Sequence, residues 1–323
     1  MRTPAFWLPG RGGPLKALLS PAGWLYGLGT AVRGRLAPSA WKAPVPVICI
    51  GNVTAGGAGK TPVARDVARR LRARGLEVHF LSRGYGGDAR GPLRVDRAEH
   101  TFRDVGDEPL LLAADGPTWI AADRAAGARA AVDGGAQAIV MDDGFQNPSL
   151  TKDGALLVID GGFGLGNGGL IPAGPLREPL AQAVARAHGV ALIGADGTGV
   201  AARLGGALPV FRAHMVSQGT GQAPGKVVAF AGIGRPEKFF DTATEAGYAL
   251  AETIPFADHH PYTAADMEAL RAAAERHGAG LLTTEKDLVR LDGDARVGVE
   301  ALTITLRWED ETALDTLLDT FVT

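Results

Sequence analysis

Residues 45–62 read VPVICIGNVTAGGAGKTP, and the reading of this stretch decides the fold. VPVICI is an apolar run of strand length with no polar alternation, as in a strand covered on both faces of a parallel sheet. A glycine-rich turn follows, and then a helical pattern over Pro62–Arg74. Strand, glycine-rich turn and helix together make a phosphate loop. Glycines let successive backbone N–H groups face an anion, and the helix N-terminus adds the positive end of its dipole. The strict GxxxxGK[ST] pattern asks for glycine at position 54, where this chain has Thr54. The working half of the motif is intact. We assign Thr54, Gly56, Gly57, Ala58, Gly59, Lys60 and Thr61 to nucleotide binding, with Lys60 reaching the phosphates and the Thr61 hydroxyl on Mg²⁺. The rival reading is a glycine-rich turn with an incidental lysine.

Outward from this stretch, apolar runs alternate with helix-length segments. Strands are expected at Val45–Ile50, Val78–Leu81, Ala138–Met141, Ala155–Ile159, Val190–Ile193, Val227–Ala231, Gly280–Thr283 and Leu302–Leu306. Helices are expected at Pro62–Arg74, Asp123–Val132 and Ala264–His277. This rhythm predicts an α/β fold with a mostly parallel sheet and helices on both faces. The run AIVMDDGFQ ends a strand in Asp142 and Asp143, where P-loop enzymes hold Mg²⁺. Thr61, Asp142 and Asp143 are therefore the candidate metal ligands. Gly161–Pro179 reads as a long functional loop and Gly219–Gly225 as a connection between domains.

Composition narrows the class. The 323 residues are 46% hydrophobic and 21% charged, which excludes bulk disorder. A single cysteine, Cys49, excludes a disulfide framework and a cysteine zinc cage. The net charge of −2 hides an asymmetry. Eight basic residues (Arg2, Arg11, Lys16, Arg33, Arg35, Lys42, Lys60, Arg65) precede the first acidic one, Asp66. Six of them lie in residues 1–42 with Trp7, Trp24 and Trp41. The uncharged run between Lys16 and Arg33 is shorter than the ~20 apolar residues a bilayer-spanning helix needs. A cleaved signal with its site near Ala37–Ala40 would export a nucleotide site that needs cytosolic ATP. Two readings stay open: a helix lying in the interface of an anionic membrane, or a helix packed on the protein's own core.

Phosphoryl transfer also needs a base and charge stabilisation. Asp107 and Glu108 in VGDEP stand at a helix start, as helix caps or as a base. His259 and His260 follow Asp258 in a loop, and an Asp–His pair can act as base and orienter. Arg83, Arg124 and Arg177, the last beside Glu178, are candidate cations.

Seven motifs occur in order: GNVTAGGAGKTP, LSRGYGG, VGDEP, MDDGFQ, GLIPAGPLREP, FADHHPY and TTEKD. The set resembles the tetraacyldisaccharide 4′-kinase family. That resemblance implies transfer of the ATP γ-phosphate to the 4′-hydroxyl of an acylated glucosamine disaccharide 1-phosphate in lipid A biosynthesis. It implies Asp107 with His259 as the base beside Lys60, Mg²⁺ at Asp142 and Asp143, and Arg83, Gln146, Arg177 and Glu178 around the acceptor. It implies a P-loop kinase domain over 1–205, with a membrane-associated segment over about 1–42, and a smaller α/β domain over 206–323. It further implies an anionic membrane surface at the cytoplasmic face of the bacterial inner membrane as partner, with no nucleic acid or protein partner. Two rivals are a membrane-docked nucleotide switch and a soluble P-loop kinase or ligase on a small metabolite.

Overall fold

A computed structural model gives the fold and describes residues 3–36, 39–218 and 225–322. The larger sheet takes β1 (Val47–Gly51), β2 (Val78–Ser82), β3 (Leu93–Arg94), β4 (Thr118–Ile120), β5 (Ala138–Asp142), β6 (Gly154–Asp160), β7 (Gly189–Ile193) and β8 (Val210–Ser217). The smaller sheet takes β9 (Lys226–Ala231), β10 (Ala249–Pro255), β11 (Gly280–Thr284) and β12 (Val299–Leu302). The chain then returns to the larger sheet as β13 (Ile304–Trp308). The larger order is β13-β8-β7-β6-β1-β5-β2-β4-β3, parallel except where edge strands β13 and β3 pair antiparallel with β8 and β4. The smaller order, β10-β9-β11-β12, is parallel throughout.

The eleven helices described are α1 (Gly13–Leu36), α2 (Lys60–Ala73), α3 (Phe102–Val105), α4 (Asp107–Asp115), α5 (Arg124–Asp133), α6 (Leu180–Val184), α7 (Val200–Arg203), α8 (Pro236–Glu245), α9 (Ala264–His277), α10 (Glu285–Leu288) and α11 (Glu311–Val322). Local chemistry sets several ends. Asp123 caps α5 by accepting from the Ala125 and Ala126 N–H groups. Thr263 and Asp266 form a capping box on α9, and Gly278 ends that helix in the left-handed region. The β1 side chains alternate between two cores: Val47 and Cys49 face one, Ile48 and Ile50 the other. This is the two-sided burial that the unbroken apolar run requires.

The structure departs from the sequence expectation in two places. The strand expected over Leu302–Leu306 is two strands, since the chain leaves the smaller sheet at Leu302 and joins the larger one at Ile304. The boundary expected at 205/206 does not follow the sheets, because β8, β13 and α11 all belong with the larger one. Leu314, Leu318 and Phe321 of α11 share a core with Leu71 and Phe80. The connection expected at Gly219–Gly225 lies, apart from Gly225, outside the described residues.

Helix α1 rests on the protein through its smallest residues. Gly23 and Gly27 are buried against Leu170 and Ala173 of the 161–179 loop, and Lys16 Nζ donates to Asn167 O at 2.6 Å. Its large apolar residues face outward: Leu18 is 75% exposed, Trp24 73%, Leu25 70% and Leu28 61%. Trp7 and Trp41, by contrast, are held by the body. The Trp7 indole donates to Pro172 O, and the Arg129 guanidinium lies 4.5 Å over the Trp41 ring. Among the described residues, no helix is long and apolar enough to cross a membrane. Arg2, Ala37 and the Arg35 side chain, which entered the reading of this segment, lie outside what is described.

Candidate active site

The phosphate loop leaves β1 and enters α2. Gly59 caps α2 at φ +85°, and Gly56 stands at φ +111°, conformations that a side chain would strain. Buried Asn52 steadies the turn by donating from Nδ2 to Thr54 O at 2.8 Å. The 161–179 loop braces it from outside. Ala55 N donates to Pro175 O and Arg177 N to Val53 O, each at 2.8 Å, and Thr54 forms a bridge with Leu176. Thr54 is thus buried backbone support, and the turn closes without the glycine of the strict motif.

The carboxylates at the end of β5 face the start of α2. Thr61 Oγ1 donates to Asp142 Oδ2 at 3.0 Å, while Asp142 Oδ1 is buried without a hydrogen-bond partner. Burial pushes the Asp142 carboxyl up to about 6, although Lys60 pulls the other way. Asp143 takes a left-handed φ of +54° that turns its side chain toward two cations. Lys60 Nζ lies 3.6 Å from Oδ2, and Arg177 Nη1 donates to Oδ1 at 2.9 Å. Burial would raise this carboxyl too, but Lys60 and Arg177 hold it below its ordinary value. Gln146 Nε2 donates to Asn52 O at 2.8 Å and to Glu178 Oε1 at 3.0 Å, and Glu178 also pairs with Arg186. The structure therefore groups Lys60, Thr61, Asp142, Asp143, Gln146, Arg177 and Glu178 around one loop.

A second cluster spans the two sheets. Asp107 is the first residue of α4 and Gly106 is its cap, so the capping role weighed for Asp107 falls away. Its buried carboxylate reaches across to the smaller unit. Oδ2 accepts from His259 Nδ1 at 3.0 Å, from Arg290 Nε at 2.8 Å and from Arg290 Nη2, while Oδ1 accepts from the Glu108 N–H. Burial alone would raise the Asp107 carboxyl, but Glu108, His259, Lys286 and Arg290 together hold it far below the carboxylate range. Glu108 next to it is pushed up to about 7 by burial and by Asp107, with Lys286 opposing. His259 holds a left-handed φ of +58°, and its Nδ1 faces Asp107. His260 turns the other way, to Asp266 in the α9 capping box at 3.0 Å. The geometry thus separates the adjacent histidines: one belongs to the cleft and the other to a helix start.

Other residues were missed or only glimpsed in the sequence. Arg290, Lys286 and Asp287 follow the TTE of β11 and α10, where nothing in the spacing reveals their partners. Arg235, at the start of α8, donates to Gly57 O and to Asp160 Oδ2, each at 2.8 Å, which ties the smaller unit to the phosphate loop. Lys238 joins Asp160 at 2.5 Å. Exposed Arg83 lines a cleft of about 230 Å³ with Tyr85 and Arg90, and the Tyr85 ring lies 6.1 Å from that of His259. Arg124 is buried on the carbonyls of Ala121 and Ala122.

A family model described as tetraacyldisaccharide-1-P 4′-kinase matches residues 15–323. The chain is 54% identical over 323 residues to the tetraacyldisaccharide 4′-kinase of Rhodospirillum centenum, covering 98% of this chain and 96% of that one. It is 55% identical over 321 residues to the enzyme of that name from Gluconacetobacter diazotrophicus, covering 99% and 98%. Its fold is similar to the crystal structure of LpxK from Aquifex aeolicus in complex with ATP, with a TM-score of 0.77 and 28% identity over 96% of this chain and 100% of that one. These likenesses favour neither a nucleotide switch nor an enzyme of small metabolites. Phosphate loop, carboxylate pair and motif order thus converge with them: the chain belongs to the tetraacyldisaccharide 4′-kinase family, phosphotransferases of lipid A biosynthesis.

Proposed function

We propose that this chain binds Mg-ATP on the phosphate loop and transfers its γ-phosphate to the 4′-hydroxyl of a tetraacylated glucosamine disaccharide 1-phosphate at a membrane surface. The observation that carries the reading is the pairing of two clusters, Lys60–Thr61–Asp142–Asp143 and Asp107–His259, at the meeting of the two sheets. The loop amides and Lys60 would hold the phosphates, and Lys60 would offset charge on the transferred group. The residues present fit a divalent cation, because Asp142 Oδ1 is a buried oxygen lacking a partner, beside the Thr61 hydroxyl. Asp142, Asp143 and Thr61 would hold Mg²⁺, which would supply positive charge against the charge developing on the transferred phosphate.

Asp107 and His259 divide the proton chemistry. An ionised carboxylate only accepts, so the Asp107 contact requires the proton on His259 Nδ1 and leaves Nε2 with a lone pair. Asp107 is buried with its near oxygen taken by three N–H donors, whereas His259 is partly exposed. His259 Nε2 therefore takes the acceptor proton, and Asp107 orients the ring and stabilises its cation. The acceptor oxygen bonds to the γ-phosphorus as the bond to the ADP oxygen breaks. Arg83 and Arg177 would meet the acceptor, with Gln146 and buried Glu178 supporting the phosphate loop behind them.

The outward face of α1 supports a peripheral seat on an anionic membrane at the cytoplasmic face of the inner membrane, with exposed Leu18, Trp24, Leu25 and Leu28 at the acyl boundary. Sheet membership favours two units, one of residues 3–217 with 304–322 and one of residues 226–302. The test offers γ-labelled ATP with the detergent-solubilised disaccharide. Label in the lipid supports the reading, and phosphate release indifferent to lipid refutes it.

A further inference from the structure

The TTEKD motif and Arg290 beyond it form a buried bracket behind the proposed base. Asp287 is fully buried, and its carboxylate is saturated. Oδ1 accepts from Gly232 N at 3.0 Å, Tyr262 Oη at 3.0 Å and Arg290 Nη1 at 2.8 Å, and Oδ2 from Thr284 Oγ1 at 2.7 Å. Arg290 is 1% exposed, so its guanidinium sits where only a fully paired cation is tolerated. Nη1 also donates to Gly232 O at 2.7 Å, and the Nε/Nη2 side grips Asp107 of the other unit. The same Gly232 carbonyl accepts from His259 N at 3.0 Å, so one peptide group indexes both the guanidinium and the histidine backbone. Lys286 Nζ reinforces the joint on Glu108 at 2.5 Å.

We propose that Arg290, anchored by Asp287, is a positioning residue for phosphoryl transfer: it fixes Asp107 against His259 Nδ1 and so aims Nε2 at the acceptor. This rests on the kinase reading above and adds a part to it. An arginine suits the task because its planar fork bonds Asp107 on one edge and Asp287 with Gly232 O on the other. The base thereby forms only when the two units are docked, since Asp107 comes from one and Arg290, Asp287 and His259 from the other.

Arg290 also adds a positive charge beside the ring, with Nη2 3.4 Å from Nδ1. The other groups facing His259 are Asp107, Asp258 at 3.8 Å from Nε2 and the Tyr85 ring; Glu108 and Lys286 face Asp107. In the full chain, assayed with Mg-ATP and detergent-solubilised disaccharide, Arg290→Gln should lower kcat at least ~100-fold, the scale of base catalysis. KM for ATP should stay within about threefold. Arg290→Lys keeps the charge and loses the fork. It should lower kcat only about tenfold, and this partial rescue keeps the test open should Arg290→Gln not fold. Wild-type kcat in either variant overturns the proposal, as does a rise in KM for ATP as large as the fall in kcat of Arg290→Gln, the signature of a merely structural role. Failure of the wild-type chain to label lipid would instead overturn the kinase reading itself.

Discussion

Substituting Leu18, Trp24, Leu25 and Leu28 together with serine separates a membrane-facing α1 from a core helix. All four are more than 60% exposed, while the contact with the body is made by Gly23, Gly27 and Lys16. Complete burial of such a side chain is worth roughly 1.5–3 kcal/mol. An interfacial helix buries about half of each, so the four contribute about 4 kcal/mol, or ~10³-fold in partitioning. Folding should barely register the change, because exposed positions usually shift stability by no more than about 0.5 kcal/mol. Sedimentation with vesicles containing anionic lipid measures the first quantity, and guanidinium unfolding with ATP binding measures the second. Unaltered vesicle binding, or a stability loss of several kcal/mol, would refute the assignment of this face to lipid.

Other expectations concern the site. Lys60→Ala should abolish transfer to lipid while leaving the chain folded, checked by labelled-ATP assay and circular dichroism. Asp107→Asn should lower kcat by ~10²–10⁴-fold with little change in KM for ATP. It should also cost about 3 kcal/mol in guanidinium unfolding, because it leaves the buried Arg290 half-paired. Asp142→Asn should stabilise the metal-free protein at pH 8 by about 1–3 kcal/mol. With a folded carboxyl at about 6 against an ordinary 3.8, the folded state holds this proton more tightly than the unfolded chain. The wild-type penalty is thus full above about pH 7 and vanishes only below about pH 4, so unfolding in EDTA should show the full gain at pH 8 and only about a third of it at pH 4.5. Destabilisation at both would contradict the account of Asp142.

Much of this was legible in the sequence because local chemistry carried it. The unbroken VICI run demanded two-sided burial, and the glycines before Lys60 and the twin aspartates after AIVM each signal a site by composition. Thr263 and Gly278 bound α9 at Ala264–His277, as the sequence pattern indicates. What stayed hidden depends on tertiary contact. β8 carries Arg212 and His214 among apolar residues, so its place in the larger sheet follows from the β7 and β13 partners and not from its own pattern. The two-residue β3 and three-residue β4 are too short for periodicity to register. Arg290 looks like any surface arginine until Asp107, 183 positions away, is brought against it. Motif position alone sets His259 apart from His260 in the sequence, whereas the structure separates them by partner, Asp107 for one and Asp266 for the other.

The most direct measurement is a crystal structure of the full chain with an unreactive ATP analogue, Mg²⁺ and the tetraacylated disaccharide 1-phosphate. The account predicts the 4′-hydroxyl within ~3 Å of His259 Nε2, in line with the γ-phosphorus held by Lys60, and Asp107 still gripped by Arg290. A 4′-hydroxyl hydrogen-bonded elsewhere, with His259 turned away from both it and Asp107, would contradict it.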